Sequence, residues 1–94
     1  MYEWDEAKRQ VNLRKHGVDF AIVEDFAWEH SIVFEDLRER YPEQRWVAVG
    51  PIGDIVFALV FTEPEESVTR VISLRRATKG ERRLYAKEIQ QARH

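Results

Sequence analysis

The chain has no cysteine, which excludes disulfide staples, thiolate metal sites and thiol nucleophiles. Four glycines and three prolines are too few for a flexible linker or a low-complexity tract, and no internal repeat is present. No apolar run is long enough to cross a bilayer. The start, Met1-Tyr2-Glu3-Trp4-Asp5, lacks the basic and then apolar pattern of a secretory signal, so a cytoplasmic protein without membrane contact is expected. What is present is 94 residues, 44% of them hydrophobic, enough for one domain over residues 1–94 with one modest core.

The net charge of −2 conceals a segregation along the chain. Residues 1–16 carry four basic and three acidic side chains, residues 17–66 three and twelve, and residues 69–94 eight and two. A basic C-terminal face can attract a polyanion even when the whole protein does not, although a charged face can equally be mere solvated surface.

Val68 to Tyr85 concentrates those cations. Its first half is rich in β-branched residues and reads as a strand, and after Ala77 the period becomes helical. Thr78-Lys79-Gly80-Glu81 is a capping box that starts the helix at a defined place. Arg70, Arg75, Arg76, Lys79, Arg82 and Arg83 therefore gather where a strand ends and a helix N-terminus opens, a setting suited to phosphate.

Upstream, Asp5 caps a helix that ends at His16-Gly17, with Lys8, Asn12 and Lys15 in one arc of its surface. Asp19 starts a second amphipathic helix that turns Ile22, Val23, Phe26 and Ala27 to the core and ends near Trp28. Four β-type runs follow: Ile32 to Glu35, Trp46 to Gly50, Ile55 to Thr62 and Val68 to Arg75. Breaks are expected at Tyr41-Pro42, across Gly50 to Asp54 and across Glu63 to Ser67. The fold class is α+β, with two N-terminal helices, a four-stranded antiparallel sheet and a C-terminal helix. Trp4, Trp28 and Trp46 read as core or core-edge residues, and Tyr85 as a packing residue.

The pattern Trp4-Asp5-x-x-Lys8-x-x-x-Asn12-x-x-Lys15-His16-Gly17-Val18-x-Phe20 is paired with Ile72-Ser73-x-Arg75-x-Ala77-x-x-x-Glu81-Arg82-Arg83-x-Tyr85. Together they resemble the BrnT family of type II toxins, and Arg45 to Gly53 and Phe61-Thr62-Glu63 also fit. The resemblance implies a RelE-like fold and a ribonuclease that cleaves RNA and halts translation. It also implies a BrnA-type antitoxin with a ribbon-helix-helix DNA-binding element, in a complex that binds its own operator DNA. Glu63 to Ser67 departs from the family, which often has a glycine-containing tight turn there.

Cleaving RNA without a metal needs a base for the 2′-hydroxyl, an acid for the departing 5′-oxygen and a cation for charge building on phosphorus. Arg75, His16 and Lys15 are the catalytic candidates. His16 titrates near neutrality, and the alternative is a helix-terminal histidine that balances the dipole. Lys15 either shares proton transfer with it or serves as a counter-charge. If Ile72 and Leu74 face the helices, alternation sends Ser73 and Arg75 to the opposite face, where a guanidinium can fork onto phosphate; otherwise Arg75 pairs with an acid of the middle segment. Lys8, Ser73, Arg76, Lys79, Arg82 and Arg83 are the RNA-binding candidates. No metal or other cofactor is expected, because the acids show no paired spacing and His30 and His94 stand alone. A non-catalytic module that binds nucleic acid or a partner through the same basic face is the competing reading.

Overall fold

The computed structural model describes residues 1–92; Arg93, which contributes to the basic C-terminal count, and His94 lie outside it. The elements are β1 (Tyr2–Glu3), α1 (Glu6–His16), 3-10 segments at Phe20–Asp25 and Trp28–His30, β2 (Ile32–Glu35), β3 (Trp46–Ile52), β4 (Ile55–Glu65), β5 (Val68–Arg76) and α2 (Lys79–Ala92). The sheet runs β1-β5-β4-β3-β2. As its uninterrupted apolar sequence requires, β4 is central, with Phe57 to Phe61 buried on both faces. No helix among the described residues is long and apolar enough to cross a membrane.

The expected four-stranded antiparallel sheet is in fact five-stranded and mixed. Residues 2–3 pair parallel with Thr69 and Arg70 of β5. Thr69 N–H also donates to the carbonyl of Met1 (2.8 Å), and the N-terminal ammonium donates to that of Ser67 (2.9 Å). The chain start thus covers part of an otherwise open strand edge, which two residues are too few to announce by periodicity.

The second expected α-helix is replaced by the two 3-10 segments. Asp19 caps as anticipated, accepting from Ala21 N–H (2.9 Å). Yet the buried residues are Phe20, Val23 and Phe26, spaced by three, which is the repeat of a 3-10 turn and not of an α-helix. Two expected breaks also shift. Gly50 and Pro51 belong to β3, and the turn is Gly53-Asp54, with Gly53 at φ 61°. Gly50 serves close approach instead, since a Cβ there would lie 2.8 Å from that of Ser31. β4 continues through Pro64 to Glu65, so the turn falls at Glu66-Ser67, where Ser67 takes the left-handed conformation at φ 64°.

Two apolar layers lie on either side of the sheet. On one face Phe20, Val23 and Phe26 pack with Ala48, Phe57, Leu59, Phe61, Val71 and Leu74. Trp4, Trp28 and Trp46 seal its margin, with Trp28 edge-on to Phe26 and Phe61 and its indole N–H donating to Tyr2 (2.6 Å). On the other face Val47, Val49, Ala58 and Val60 pack beneath Ala77 and Tyr85. Tyr85 is a packing residue as read, anchored by its hydroxyl to the carbonyl of His30 (2.6 Å).

Candidate active site

α1 is held in an unusual way. It carries no apolar stripe, Val11 and Leu13 are exposed, and its one buried residue is Asn12. The Asn12 amide donates to the carbonyls of Leu74 (2.7 Å) and Val18 (3.0 Å), and its oxygen accepts from Leu74 N–H (3.2 Å). One side chain therefore continues the β5 edge beyond the reach of β1. Asp5 caps the helix N-terminus through Ala7 and Lys8 N–H, and Gly17 closes the other end at φ 68°.

β5 carries a bulge. Val60 pairs with Ser73 but Phe61 pairs with Val71, so Ile72 is the extra residue. Strict alternation would have sent Ile72 to the same face as Leu74, and that expectation is overturned. Leu74 and Val71 enter the first layer, whereas Ile72 packs against the second. Ile72 and Ser73 together line a cleft of about 330 Å³ whose opposite wall is α1, with Lys8, Val11, Asn12, Lys15 and His16. α2 does not close it, because α2 packs across β2 and β3 and leaves the β5 margin uncovered.

Arg75 lies opposite Ala58 in the ladder, on the second face. The acid that pairs with it is Glu81 and not one from the middle segment. Nη1 donates to Oε1 (2.7 Å) and Nη2 to Oε2 (3.0 Å), and both side chains are about four-fifths buried. The same carboxylate accepts from Thr78 N–H (2.8 Å), while Glu81 N–H donates to Thr78 Oγ1 (3.1 Å), completing the capping box. The guanidinium of Arg75 holds the Glu81 carboxyl below the usual range against the opposing effect of burial. Strand end, helix start and guanidinium are thus locked by one carboxylate. Behind this pair a hollow is lined by Phe34, Val47, Asp36 and Arg38. There the Arg38 guanidinium donates twice to the buried Asp36 (2.7 and 2.8 Å) and its backbone N–H once (3.2 Å), which draws the carboxyl down to about 2.

The His16 imidazole is half-buried and its pKa is lowered from 6.5. Burial is the main cause, followed by the positive charges of Lys15 and Arg75. All three causes disfavour the charged imidazolium, and the two cations among them are the other two catalytic candidates.

The fold thus brings Lys8, Lys15, His16 and Ser73 into one cleft, with Arg75 within electrostatic reach. The remaining RNA-binding candidates do not line that cleft. Lys79 and Arg83 are exposed on α2, Arg82 turns back to the carbonyl of Ala77 (2.8 Å), and Arg76 is exposed at the end of β5. Sequence reading missed Glu81 as the partner of Arg75, although its place in the capping box put it close to the strand end. It also missed Asn12 as the clasp, for which the absence of an apolar stripe on α1 was the available sign.

Residues 4–81 match the family described as a ribonuclease toxin, BrnT, of type II toxin-antitoxin systems. The chain is also similar to the Brucella abortus ribonuclease toxin BrnT, known from a 1.1 Å crystal structure. The two are 35% identical with a TM-score of 0.66, over 84% of this chain and 99% of that one. No curated protein matches. With the family matched from Trp4 through Glu81, the stretch that holds α1, the sheet and the Arg75–Glu81 lock, the chain belongs to the BrnT family of ribonuclease toxins of type II toxin–antitoxin systems.

Proposed function

We propose that this chain cleaves RNA at the β5 margin without a metal ion, by attack of a ribose 2′-hydroxyl on the adjacent phosphate. The observation that carries this is a half-buried imidazole at the end of α1, beside one ammonium and within the field of a fixed guanidinium, which together lower its pKa. His16 takes the 2′-hydroxyl proton as the new oxygen–phosphorus bond forms. The bond to the 5′-oxygen breaks, and Lys15 returns a proton to that oxygen. Glu81 takes one N–H each of Nη1 and Nη2 of Arg75, and Nη1 also donates to the carbonyl of Arg76 (3.4 Å), which fixes the plane of the group and leaves Nε and the second N–H of Nη2 for the phosphoryl oxygens. Lys8 and Ser73 hold the backbone beside the reacting phosphate.

The products are a 2′,3′-cyclic phosphate and a 5′-hydroxyl, and they separate this reading from a module that only binds. Purified protein incubated with RNA in excess EDTA should generate both ends. Cleavage abolished by chelator and restored by Mg²⁺ or Mn²⁺ contradicts the metal-free route, and binding with no new ends favours the non-catalytic module.

In the cell this cleavage stops translation and growth, and a protein antitoxin silences it. Lys79, Arg83 and Lys87 form the exposed stripe of α2 at i, i+4 and i+8, which suits steering of an acidic segment of that partner. The antitoxin's ribbon-helix-helix element then carries the complex to operator DNA. Association with the antitoxin should slow as salt rises, whereas equal rates at low and high salt would remove α2 from the interface.

A further inference from the structure

The cleft beside His16 opens into a second one of about 510 Å³. Asp5, Lys8 and Ile72 line both, so an extended chain bound in the first passes directly into the second. The two differ in chemistry. The first offers ammonium groups, and the second mixes guanidinium and carboxylate groups around Trp4.

Within the second cleft Glu3 and Arg70 neutralise each other through a hydrogen-bonded ion pair. The Asp5 carboxylate is engaged as the helix cap and Lys8 belongs to both clefts, so Glu43 and Arg45 are the charged groups particular to the second that remain. The guanidinium carbon of Arg45 lies 4.1 Å from the centre of the Tyr41 ring, which holds the group in place by its face. Its Nε is 3.4 Å from a Glu43 oxygen, without hydrogen-bond geometry, and has no hydrogen-bond partner among the described residues. The Glu43 carboxylate is thus near a cation but not saturated by it, and its side chain is 45% exposed. A carboxylate on the path of a polyanion repels phosphate, so the group that meets it must bring hydrogen-bond donors. On RNA a ribose hydroxyl brings one, and a base edge can bring two side by side, which is what the two oxygens of a carboxylate accept.

We infer that the second cleft reads a guanine next to the cleaved bond, with Glu43 and Arg45 as the specificity-determining pair; this deepens the RNA-cleavage reading and rests on it. Guanine presents two neighbouring donors on its Watson–Crick edge, N1–H and the N2 amino group, and they match the two oxygens of one carboxylate. Its O6 and N7 are acceptors that suit a guanidinium. Adenine places a lone pair at N1, facing the carboxylate. Uracil flanks its single N–H with two carbonyls, and cytosine has an acceptor at N3. Each of these loses a bond and adds a repulsion.

The test starts by mapping cleavage on an RNA of mixed sequence, then replaces the base at the preferred position by guanine, inosine, 2-aminopurine or adenine. Cleavage should be fastest with guanine. Inosine, which lacks the N2 amino group, should be cut about tenfold more slowly, and 2-aminopurine and adenine more slowly still. Glu43→Gln, an exposed change that leaves the fold intact, should lower the guanine-to-adenine ratio of kcat/KM about tenfold or more, because an amide repels adenine N1 less and accepts only one donor. Cleavage with no base preference, preference for another base, or an unchanged ratio in Glu43→Gln would overturn this inference alone. Absence of cleavage on every RNA would overturn the ribonuclease reading together with it.

Discussion

The two faces of the sheet are built by different rules. The face under the 3-10 segments is closed by shape: Phe20, Val23, Leu59, Val71 and Leu74 are fully buried, and aromatic edges seal its margin. The other face is closed over β2, β3 and β4, where Val47, Val49, Ala58 and Val60 are buried, and along β5 Ile72 and Ser73 stay half-buried and line the cleft beside α1. Apolar burial organises the first throughout, whereas on the second it stops at β4 and hydrogen bonds and charge organise the β5 margin. Substitutions should therefore separate stability from activity on the open face and fail to separate them on the closed one.

The sharpest test of that separation is Arg75→Ala. The side chain contributes to no apolar core, so loss of a preorganised cation should slow cleavage by about a hundredfold or more, roughly 3 to 4 kcal/mol. Lysine should rescue only part of the rate, since it keeps the charge without the planar fork. A thermal melt run beside the cleavage assay decides whether inactivity comes from chemistry or from unfolding.

Asn12→Ala crosses the boundary between the faces. It removes three hydrogen bonds and leaves the buried N–H and C=O of Leu74 unpaired, at a cost of about 3 kcal/mol. Urea unfolding should show this loss, and wild-type stability would mean that α1 is held by something else.

Glu81→Gln keeps the size of the residue and loses the charge that fixes Arg75. Cleavage should fall roughly tenfold, the difference between a charge-assisted and a neutral hydrogen bond. Thr78→Ala removes the other half of the capping box without touching Arg75. It should cost about 1 kcal/mol in stability and lower activity less than Glu81→Gln does. Equal activity losses in the two variants would mean that Glu81 acts only as a cap.

The smallest effect is in pH. The folded-state pKa of His16 lies below 6.5, so the neutral base persists into mildly acidic solution, and kcat/KM should fall only as pH drops through that lower value. Stability follows the same sign. Protonation favours the unfolded chain, so stability should be level above pH 6.5 and decline as pH falls from there through the folded pKa. An acid limb centred at or above 6.5 would place the imidazole in a different environment.

How much of this was legible depends on which rule was at work. The capping box at Thr78–Glu81, the Asp5 cap, the Gly17 stop and the central apolar β4 are local patterns, and each was readable from the sequence. The parallel pairing of Tyr2 and Glu3 was not, because two residues carry no period. Nor was the bulge at Ile72, which depends on how β4 and β5 align and which moved one side chain to the other face. The Phe20–Asp25 segment was misread because its apolar residues also fit an α-helical stripe until the repeat of three is seen in its burial. At the site, the motif residues Lys8, Lys15, His16 and Ser73 came together; Asn12 clasps Leu74 across 62 residues, which no spacing reveals, whereas Glu81 lies six residues from Arg75 and only its place in the capping box pointed to that pairing.

Cleavage as proposed requires RNA to lie along the β5 margin. The most direct measurement is amide hydrogen exchange with and without an RNA whose 2′-hydroxyl is replaced by hydrogen throughout, so that it binds without being cut. Protection should appear in Lys8 to His16 and in Ile72 to Arg76 and be absent from Phe20 to His30. Protection confined to the 3-10 segments, or to the outer stripe of α2 alone, would contradict it.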